Sequence, residues 1–446
     1  MRARKGEAWF AALLLAVACL PHLAALRAGF TYDDRVFVVR NQSIRSLAGA
    51  LGAFGSPFPP EQPERALYRP LTNFSYALDH ALSGGAPAVF HATNLLLYLG
   101  IAWLAYRVAR RSLATRGGAR AAALIFAVHP VHCEVVDSVA GRSELLALAL
   151  GLSALLLFRA AVDPADSASG VQRGRAGRLV AAYLCYALAT LAKESAIVLP
   201  ALLAAHCLLF PAAQASGRRV WGYLIPFAAI AAGCLLLRGW VLGAATPAIT
   251  VLGDEPLATR LFTLGAIYWE YLRLLFFPAT LQVDFYYAHR VGIHATLSPT
   301  ALAGLAALAG SLVTLAALLA RALRRSARPA DRGPDRAAAF GLLFFLIYLF
   351  PVSHVVPFGA LLAERFLFAP SLGFALAAAA GLEALAARTR NPSLRRALAG
   401  GLALALALAA LRGGARAAEW RNPVTLWSPV VRQVPGEFRA YNNLAA

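Results

Sequence analysis

The chain has 446 residues, of which 59% are hydrophobic and 14% are charged, and its formal net charge is +20. Soluble globular proteins carry roughly 25% charged residues, so this composition excludes an ordinary soluble domain. The 40 Arg and two Lys cluster between long apolar runs, which argues against a nucleic-acid partner. Runs free of Asp, Glu, Lys and Arg cover residues 8–26, 220–237, 291–320, 366–382 and 397–411.

Apolar runs of about 18 or more residues can cross a hydrocarbon core of about 30 Å as helices. Short Arg-rich loops mark the cytoplasmic side of a membrane protein. Together these rules predict a cytoplasmic N-terminus, an extracytoplasmic C-terminus and eleven crossings, near residues 8–28, 90–110, 119–135, 143–161, 178–193, 195–211, 219–241, 299–321, 337–352, 361–387 and 396–412. Residues 258–279 break the alternation of sides and are predicted to form an interfacial or re-entrant helix on the outer face.

The first outer loop, about residues 29–89, carries the adjacent acids Asp33 and Asp34 directly after the first crossing. Two adjacent carboxylates repel each other, so one of them can keep a proton or share a cation. At the membrane surface one of them could act as a general base toward a hydroxyl group. A solvated turn that follows a helix is the alternative interpretation.

A second group of polar residues lies at the outer ends of the second, third and fourth crossings: His91, Asn94, His129, His132, Glu134 and Glu144. The spacing of His129, His132 and Glu134 raises the question of a metal site. It is not a zinc-protease pattern, and Pro130 breaks the helix that would align the ligands. We therefore predict substrate-contacting or structural roles for these residues and no metal site.

Four cations are predicted on the same face: Arg69, Arg142, Lys193 and Arg365. Arg guanidinium groups match phosphate geometry, and Lys supplies a point charge. A lipid-linked phosphate held at the headgroup plane would explain cations at this depth. The alternative is that each cation pairs with a nearby carboxylate, namely Glu144, Glu194 or Glu364.

After residue 412 the chain turns polar, so the sequence predicts a membrane domain at 1–412 and a second region at 413–446. Residues 420–446 resemble the end of one TPR-like unit and the start of the next. A single unit cannot bury its own apolar face. We therefore expect Trp427 and Leu444 to lack a partner surface within 446 residues, and the protein to continue into further repeats that present acceptor polypeptides. The alternative is that this tail packs as a short helix back on the membrane domain.

Several segments, in order along residues 32–373, resemble the TMTC proteins, which are transmembrane, TPR-containing protein O-mannosyltransferases. They are Tyr32-Asp33-Asp34, Tyr68-Arg69-Pro70-Leu71-Thr72, His91 with Asn94, Phe126-Ala127-Val128-His129-Pro130-Val131-His132-Cys133-Glu134, Gly141-Arg142-Ser143-Glu144, Ala192-Lys193-Glu194 and Glu364-Arg365-Phe366-Leu367-Phe368-Ala369-Pro370-Ser371-Leu372-Gly373. Each segment alone is weak evidence, and the ordered set is specific.

The resemblance implies a GT-C fold, an all-α membrane glycosyltransferase whose active site faces away from the cytoplasm. Such enzymes pass a sugar from a polyprenyl or dolichyl phosphate to an acceptor hydroxyl with inversion. The resemblance makes Asp33 the base, with Asp34 beside it in the acidic motif. It makes Arg69 and Arg142 donor-phosphate contacts, and Lys193 and Arg365 join them in this assignment. No cofactor is required, and a divalent cation is compatible with the motif but not supported by it.

The expected partners are the lipid-linked donor, the membrane and extracytoplasmic proteins, with no nucleic acid. The Arg-rich composition indicates a GC-rich bacterium and therefore the inner membrane, which leaves the sugar and the carrier open.

Three other functions are considered: a ligase or polymerase of lipid-linked glycans, a non-enzymatic anchor for a TPR scaffold, and a transporter. A transporter would need charges along a path at the bilayer midplane, often within inverted repeats.

Overall fold

The computed structural model describes residues 2–163, 174–211, 217–243, 250–324, 333–355 and 358–445, and within these ranges the chain is helical without strands. The α-helices are α1 (Arg2–Cys19), α2 (Leu47–Gly52), α3 (Pro70–Ser83), α4 (Pro87–Ser112), α5 (Arg116–Ala127), α6 (Cys133–Val136), α7 (Arg142–Val162), α8 (Arg175–Ala192), α9 (Leu199–Leu209), α10 (Gly217–Gly222), α11 (Ile225–Leu242), α12 (Leu257–Phe276), α13 (Asp284–Val291), α14 (Pro299–Arg324), α15 (Pro334–Leu349), α16 (Phe368–Arg388), α17 (Pro392–Glu419), α18 (Pro423–Gln433) and α19 (Phe438–Ala445). Shorter helical turns cover Leu20–Arg27, Arg35–Val39, Gln42–Arg45, Ala53–Gly55, Pro63–Arg65, Pro130–His132, Val139–Gly141, Glu194–Val198, Phe350–Val352 and Glu364–Leu367.

The described helices confirm the all-α membrane fold class. Eight segments are long and apolar enough to cross a bilayer: Gly6–Arg27, Pro87–Ser112, Val139–Val162, Arg219–Leu242, Pro299–Arg324, Pro334–Val352, Glu364–Arg388 and Pro392–Glu419. A bent pair, Arg116–Ala127 and Pro130–Val136, raises the count to nine if it forms one crossing. The predicted crossings at 178–193 and 195–211 fall on α8 and α9, which are outside these eight, so a total of eleven stays a prediction.

Two predicted crossings differ in shape from the helices found. The crossing at 119–135 is not straight, because α5 ends at Ala127 and the chain turns by 49° before it continues. Pro130 opens the next helical turn, and proline has no N–H group to continue the hydrogen-bond ladder of a helix. The crossing predicted to end at 412 continues as α17 to Glu419, so the predicted domain boundary at 412 lies inside a helix.

Charged residues lie at both ends of the bundle. At one end, where α4 finishes, Tyr106 donates to Glu7 at 2.6 Å, and Arg321 pairs with Asp335 at 3.4 Å. Residues 325–332 of the Arg cluster at this end, and Arg173 of another cluster, lie outside the described residues. The opposite end, where α3, α4 and α7 begin next to the first loop, holds the candidate site, and we call it the polar end.

Glycine pairs allow some helices of the bundle to pack backbone against backbone. A Cβ atom built on Gly304 of α14 would lie 1.7 Å from the carbonyl oxygen of Gly265 in α12. A Cβ on Gly373 of α16 would lie 2.5 Å from the carbonyl oxygen of Gly341 in α15. Small residues permit such close approach of membrane helices, which gain stability from van der Waals packing in a solvent as apolar as their own side chains.

The last helices pack against the polar end of the bundle. Asn422 caps α18 in a reciprocal pair of hydrogen bonds with Thr425. Trp427 is fully buried, and its ring meets the ring of Tyr32 edge-on with 5.2 Å between centroids. The expectation that Trp427 lacks a partner surface is therefore wrong, because the first loop supplies one. Leu444 is partly buried in the same cluster.

Candidate active site

The acidic pair of the first loop lies at the polar end, and Asp34 is fixed there. Asp34 is fully buried and accepts three hydrogen bonds: from the Thr31 amide at 3.1 Å, the Ser138 hydroxyl at 2.9 Å and the Ala140 amide at 2.7 Å. Burial raises the pKa of the Asp34 carboxyl to about 7, although the three donors oppose this shift. Asp34 thus ties the first loop to the start of α7.

Asp33 differs from Asp34 in its accessibility. Its side chain is only partly buried, and its carbonyl oxygen accepts the amides of Val36 and Phe37, both at 3.0 Å. The preceding residue, Tyr32, has a left-handed backbone with φ of 48°. Non-glycine residues rarely adopt this conformation, so its presence beside an acidic motif is consistent with a functional turn. Of the two acids, Asp33 is the more accessible to solvent.

Arg142 lies at the centre of a buried network between α3, α4 and α7. It is fully buried and donates to Asn94 at 2.8 Å, to Asp79 at 2.5 Å and to the Phe90 carbonyl at 2.7 Å. The guanidinium also lies 4.9 Å from the centroid of the Tyr76 ring. Asn94 in turn donates to the Ser138 carbonyl at 2.8 Å, so Arg142 connects to the segment that holds Asp34.

A second network joins the predicted cations Arg69 and Lys193 to two glutamates. Arg69 forms a two-pronged pair with Glu194, with contacts of 3.0 and 2.5 Å. Lys193 donates to Glu144, and the Arg69 guanidinium also reaches the Ser143 hydroxyl at 3.4 Å. These contacts agree with the pairing alternative: Lys193 and Glu144 are buried, and Arg69 and Glu194 are partly exposed.

The predicted residues Arg365 and Glu364 belong to a third network. Arg365 pairs with Glu134 through its guanidinium, and its backbone amide donates to the same carboxylate at 2.9 Å. Glu364 is fully buried and accepts from Tyr287 at 2.8 Å. Glu364 also forms an ion pair with Arg416 of α17, at 3.5 Å.

The predicted histidines contact three different parts of the bundle. His129 Nε2 lies 3.0 Å from the Leu275 carbonyl oxygen. His132 lies between the Ser371 hydroxyl at 2.8 Å and the Tyr98 hydroxyl at 2.9 Å. His91 is buried within α4. Because His129, His132 and Glu134 point to separate partners, their side chains do not converge on one metal position.

The sequence interpretation did not single out several charged residues that complete these networks. Asp79 pairs with Arg142, Arg416 pairs with Glu364, and Asp137 lies 2.9 Å from His22. Within the described residues, His22, Cys133 and Asp137 form a buried group whose ligand atoms lie within 4.8 Å of one another. Ionisable residues at membrane depth are functional candidates by default, and that rule could have identified them.

Curated proteins similar to this chain are protein O-mannosyl-transferases. No family model matches the chain. Protein O-mannosyl-transferase Tmtc3 of Drosophila melanogaster is 26% identical over 497 aligned positions, which cover 97% of this chain and 52% of the fly protein. Protein O-mannosyl-transferase TMTC4 of Homo sapiens is 27% identical over 463 positions, covering 93% of this chain and 60% of the human protein. Tmtc1 of D. melanogaster is 36% identical over 149 positions, which are 32% of this chain and 17% of that protein.

The predicted resemblance to the TMTC proteins is confirmed. The chain spans about half the length of the curated TMTC relatives that it matches from end to end. Among solved structures, the oligosaccharyltransferase of Archaeoglobus fulgidus is similar in two forms, tethered to an acceptor peptide and apo, both with a TM-score of 0.52. The identities are 15% and 14%, with 95% and 96% of this chain and 57% and 58% of that protein covered. At this level of identity the likeness shows a shared fold and no more.

Proposed function

We propose that this TMTC-like chain is the membrane part of a glycosyltransferase that moves a hexose, such as mannose, from a polyprenyl-phosphate carrier to Ser or Thr hydroxyls of extracytoplasmic proteins. The observation that carries the proposal is the placement of the first loop. Asp34 fastens this loop to the start of α7, and partly exposed Asp33 is thereby held at the end of the bundle that also carries Arg69 and Lys193.

Asp33 is the base in the proposed mechanism. The acceptor oxygen attacks the anomeric carbon of the sugar, the bond from that carbon to the phosphate oxygen breaks, and the proton of the hydroxyl passes to Asp33. The phosphate leaves with the bonding electrons, so no enzyme nucleophile is needed and the configuration inverts. Cations near the phosphate stabilise the charge that develops on it. Fully buried Asp34 is a positioning residue in this scheme.

Location and partners belong to the same proposal. The polar end faces away from the cytoplasm, because the Arg clusters lie between crossings at the other end. The Arg-rich composition supports a bacterial inner membrane. Helices α18 and α19, which pack beside the first loop through Trp427 and Tyr32, form the side from which TPR-like repeats would present an acceptor protein.

Substitution of the base tests this proposal. Asp33→Asn keeps the shape of the side chain and removes the base, so sugar transfer from a polyprenyl-phosphate donor to a Ser/Thr peptide should fall by roughly 10²- to 10⁴-fold. Binding of the donor should change little. Asp254→Asn, at an exposed acid in another loop, is the matched control and should keep full activity. Full transfer by purified Asp33→Asn protein would refute the role of Asp33.

A further inference from the structure

A pocket at the polar end contains an arginine that the sequence interpretation did not consider. Arg238 lies near the C-terminal end of α11 and lines this pocket together with Tyr68, Thr190, Leu191, Glu194, Ile197, Cys234 and Leu235. One guanidinium nitrogen, Nη2, donates to the Ala66 carbonyl in the first loop at 2.7 Å. The other, Nη1, is buried and has no hydrogen-bond partner among the described residues. A buried charged donor without a partner costs free energy unless a ligand satisfies it.

The charges around this pocket do not balance. Arg238 interacts electrostatically with Glu194 and Arg69, and Lys193 interacts with Glu144, Glu194 and Arg69. These five groups form a cluster of three cations and two carboxylates, with a net charge of +1. The carboxylates already pair with Arg69 and Lys193, so the unmatched positive charge is that of Arg238.

The walls of the pocket indicate what kind of anion it accepts. Leu235, one residue of the lining, is 52% exposed, and Leu236 next to it on α11 is 75% exposed. On a helix long and apolar enough to cross the bilayer, exposed leucines face lipid chains. A ligand here would therefore meet a cation at its head and an apolar surface along its tail. A sugar-loaded polyprenyl phosphate is a phosphodiester, which carries one negative charge and a long apolar chain.

We propose that Arg238, beside the Arg69–Glu194 pair, binds the phosphate of the polyprenyl-linked sugar donor, with the prenyl chain lying along the exposed face of α11. This inference rests on the proposed function and deepens it, because it names the pocket that holds the carrier. The Nη2 bond to Ala66 connects the same guanidinium to the first loop. Donor binding and the position of the loop that carries Asp33 are thereby linked.

Binding of a polyprenyl phosphate, measured without any sugar transfer, tests the site. The protein is reconstituted in phosphatidylcholine nanodiscs, and the dissociation constant is measured for a radiolabelled long-chain polyprenyl phosphate. Arg238→Gln should weaken binding by roughly 10- to 100-fold, because it removes a charge-assisted hydrogen bond. The matched control is Arg260→Gln, since Arg260 also donates to loop carbonyls, those of His354 and Val355. The control should stay within about twofold of the wild type.

A second variant keeps the test valid if the Arg238→Gln protein misfolds. Leu235→Trp fills the pocket from an exposed position, and it should weaken binding while the melting temperature stays near that of the wild type. Unchanged affinity in a folded Arg238→Gln protein would overturn the inference. So would equal displacement of the probe by phosphatidylglycerol, which would mean a general lipid-headgroup site, or displacement by inorganic phosphate alone. If polyprenyl phosphate binds through Arg238 but no sugar is transferred, the proposed function fails and the site stands.

Discussion

Arg142 was predicted to contact the donor phosphate, and its surroundings favour a different role. The side chain is fully buried, and its donors are directed at Asn94, Asp79, Ser75 and Phe90. A guanidinium with this many protein acceptors has little left to offer a ligand. Arg142 therefore joins α3, α4 and α7 at the polar end, and its contact with the donor phosphate stays a prediction.

Replacement of Arg142 should affect stability more than donor binding. Arg142→Met leaves the buried Asp79 carboxylate without its cation, and breaking such a pair costs about 3–5 kcal/mol. The melting temperature should fall strongly in the single variant and recover in part in Arg142→Met/Asp79→Leu, which removes both charges. Arg40→Met, at an exposed arginine, is the control. A normal melting temperature with weakened donor binding would restore the phosphate role of Arg142.

The sequence identified most ionisable residues of the polar end, and it did not determine how they pair. It offered Glu364 as a partner for its neighbour Arg365, whereas Arg365 pairs with Glu134, which is 231 residues away along the chain. Adjacent side chains on a helical turn point in different directions, so neighbours in sequence seldom pair. Arg238 was missed because it follows an uninterrupted apolar run and belongs to no motif of the resemblance.

At the scale of the helix, apolar runs predicted most elements well because helices are the segments that can satisfy their own backbone in lipid. Their ends were less predictable. Pro130 divides a run that reads as one crossing, and α17 carries Arg412 and Arg416 beyond the apolar run, paired with Glu419 at 3.7 and 2.5 Å. Such pairing lets a helix continue where composition alone indicates an end.

The close crossing of α12 and α14 can be tested by adding one methyl group. Gly304→Ala places a Cβ atom against the Gly265 backbone, so the two helices must separate and lose packing. We expect a lower melting temperature in detergent and faster proteolysis. Gly310→Ala is the matched control on α14, since a Cβ there meets no atom within 4 Å. Equal behaviour of the two variants would show that the crossing adds little to stability.

At the scale of the whole molecule, orientation in the membrane decides which compartment the site serves. Arg-rich loops at the end of the bundle opposite the polar end predict that this other end is cytoplasmic. An alkaline phosphatase reporter fused after Arg324, at the end of α14, should therefore be inactive, and one fused after Gln433, at the end of α18, should be active. The reverse pattern would place the acidic pair in the cytoplasm and contradict the proposed function.

The contact between Trp427 and Tyr32 joins two parts of the chain that are far apart in sequence. Trp427 belongs to the C-terminal helices, and Tyr32 directly precedes Asp33. A protein bound to α18 that displaced Trp427 would therefore remove the aromatic surface on which Tyr32 packs, next to Asp33. The relation is reciprocal, because coupling between two sites acts equally in both directions. A ligand that moved Tyr32 and the acid pair would change, by the same coupling free energy, the affinity of α18 for a protein bound to it.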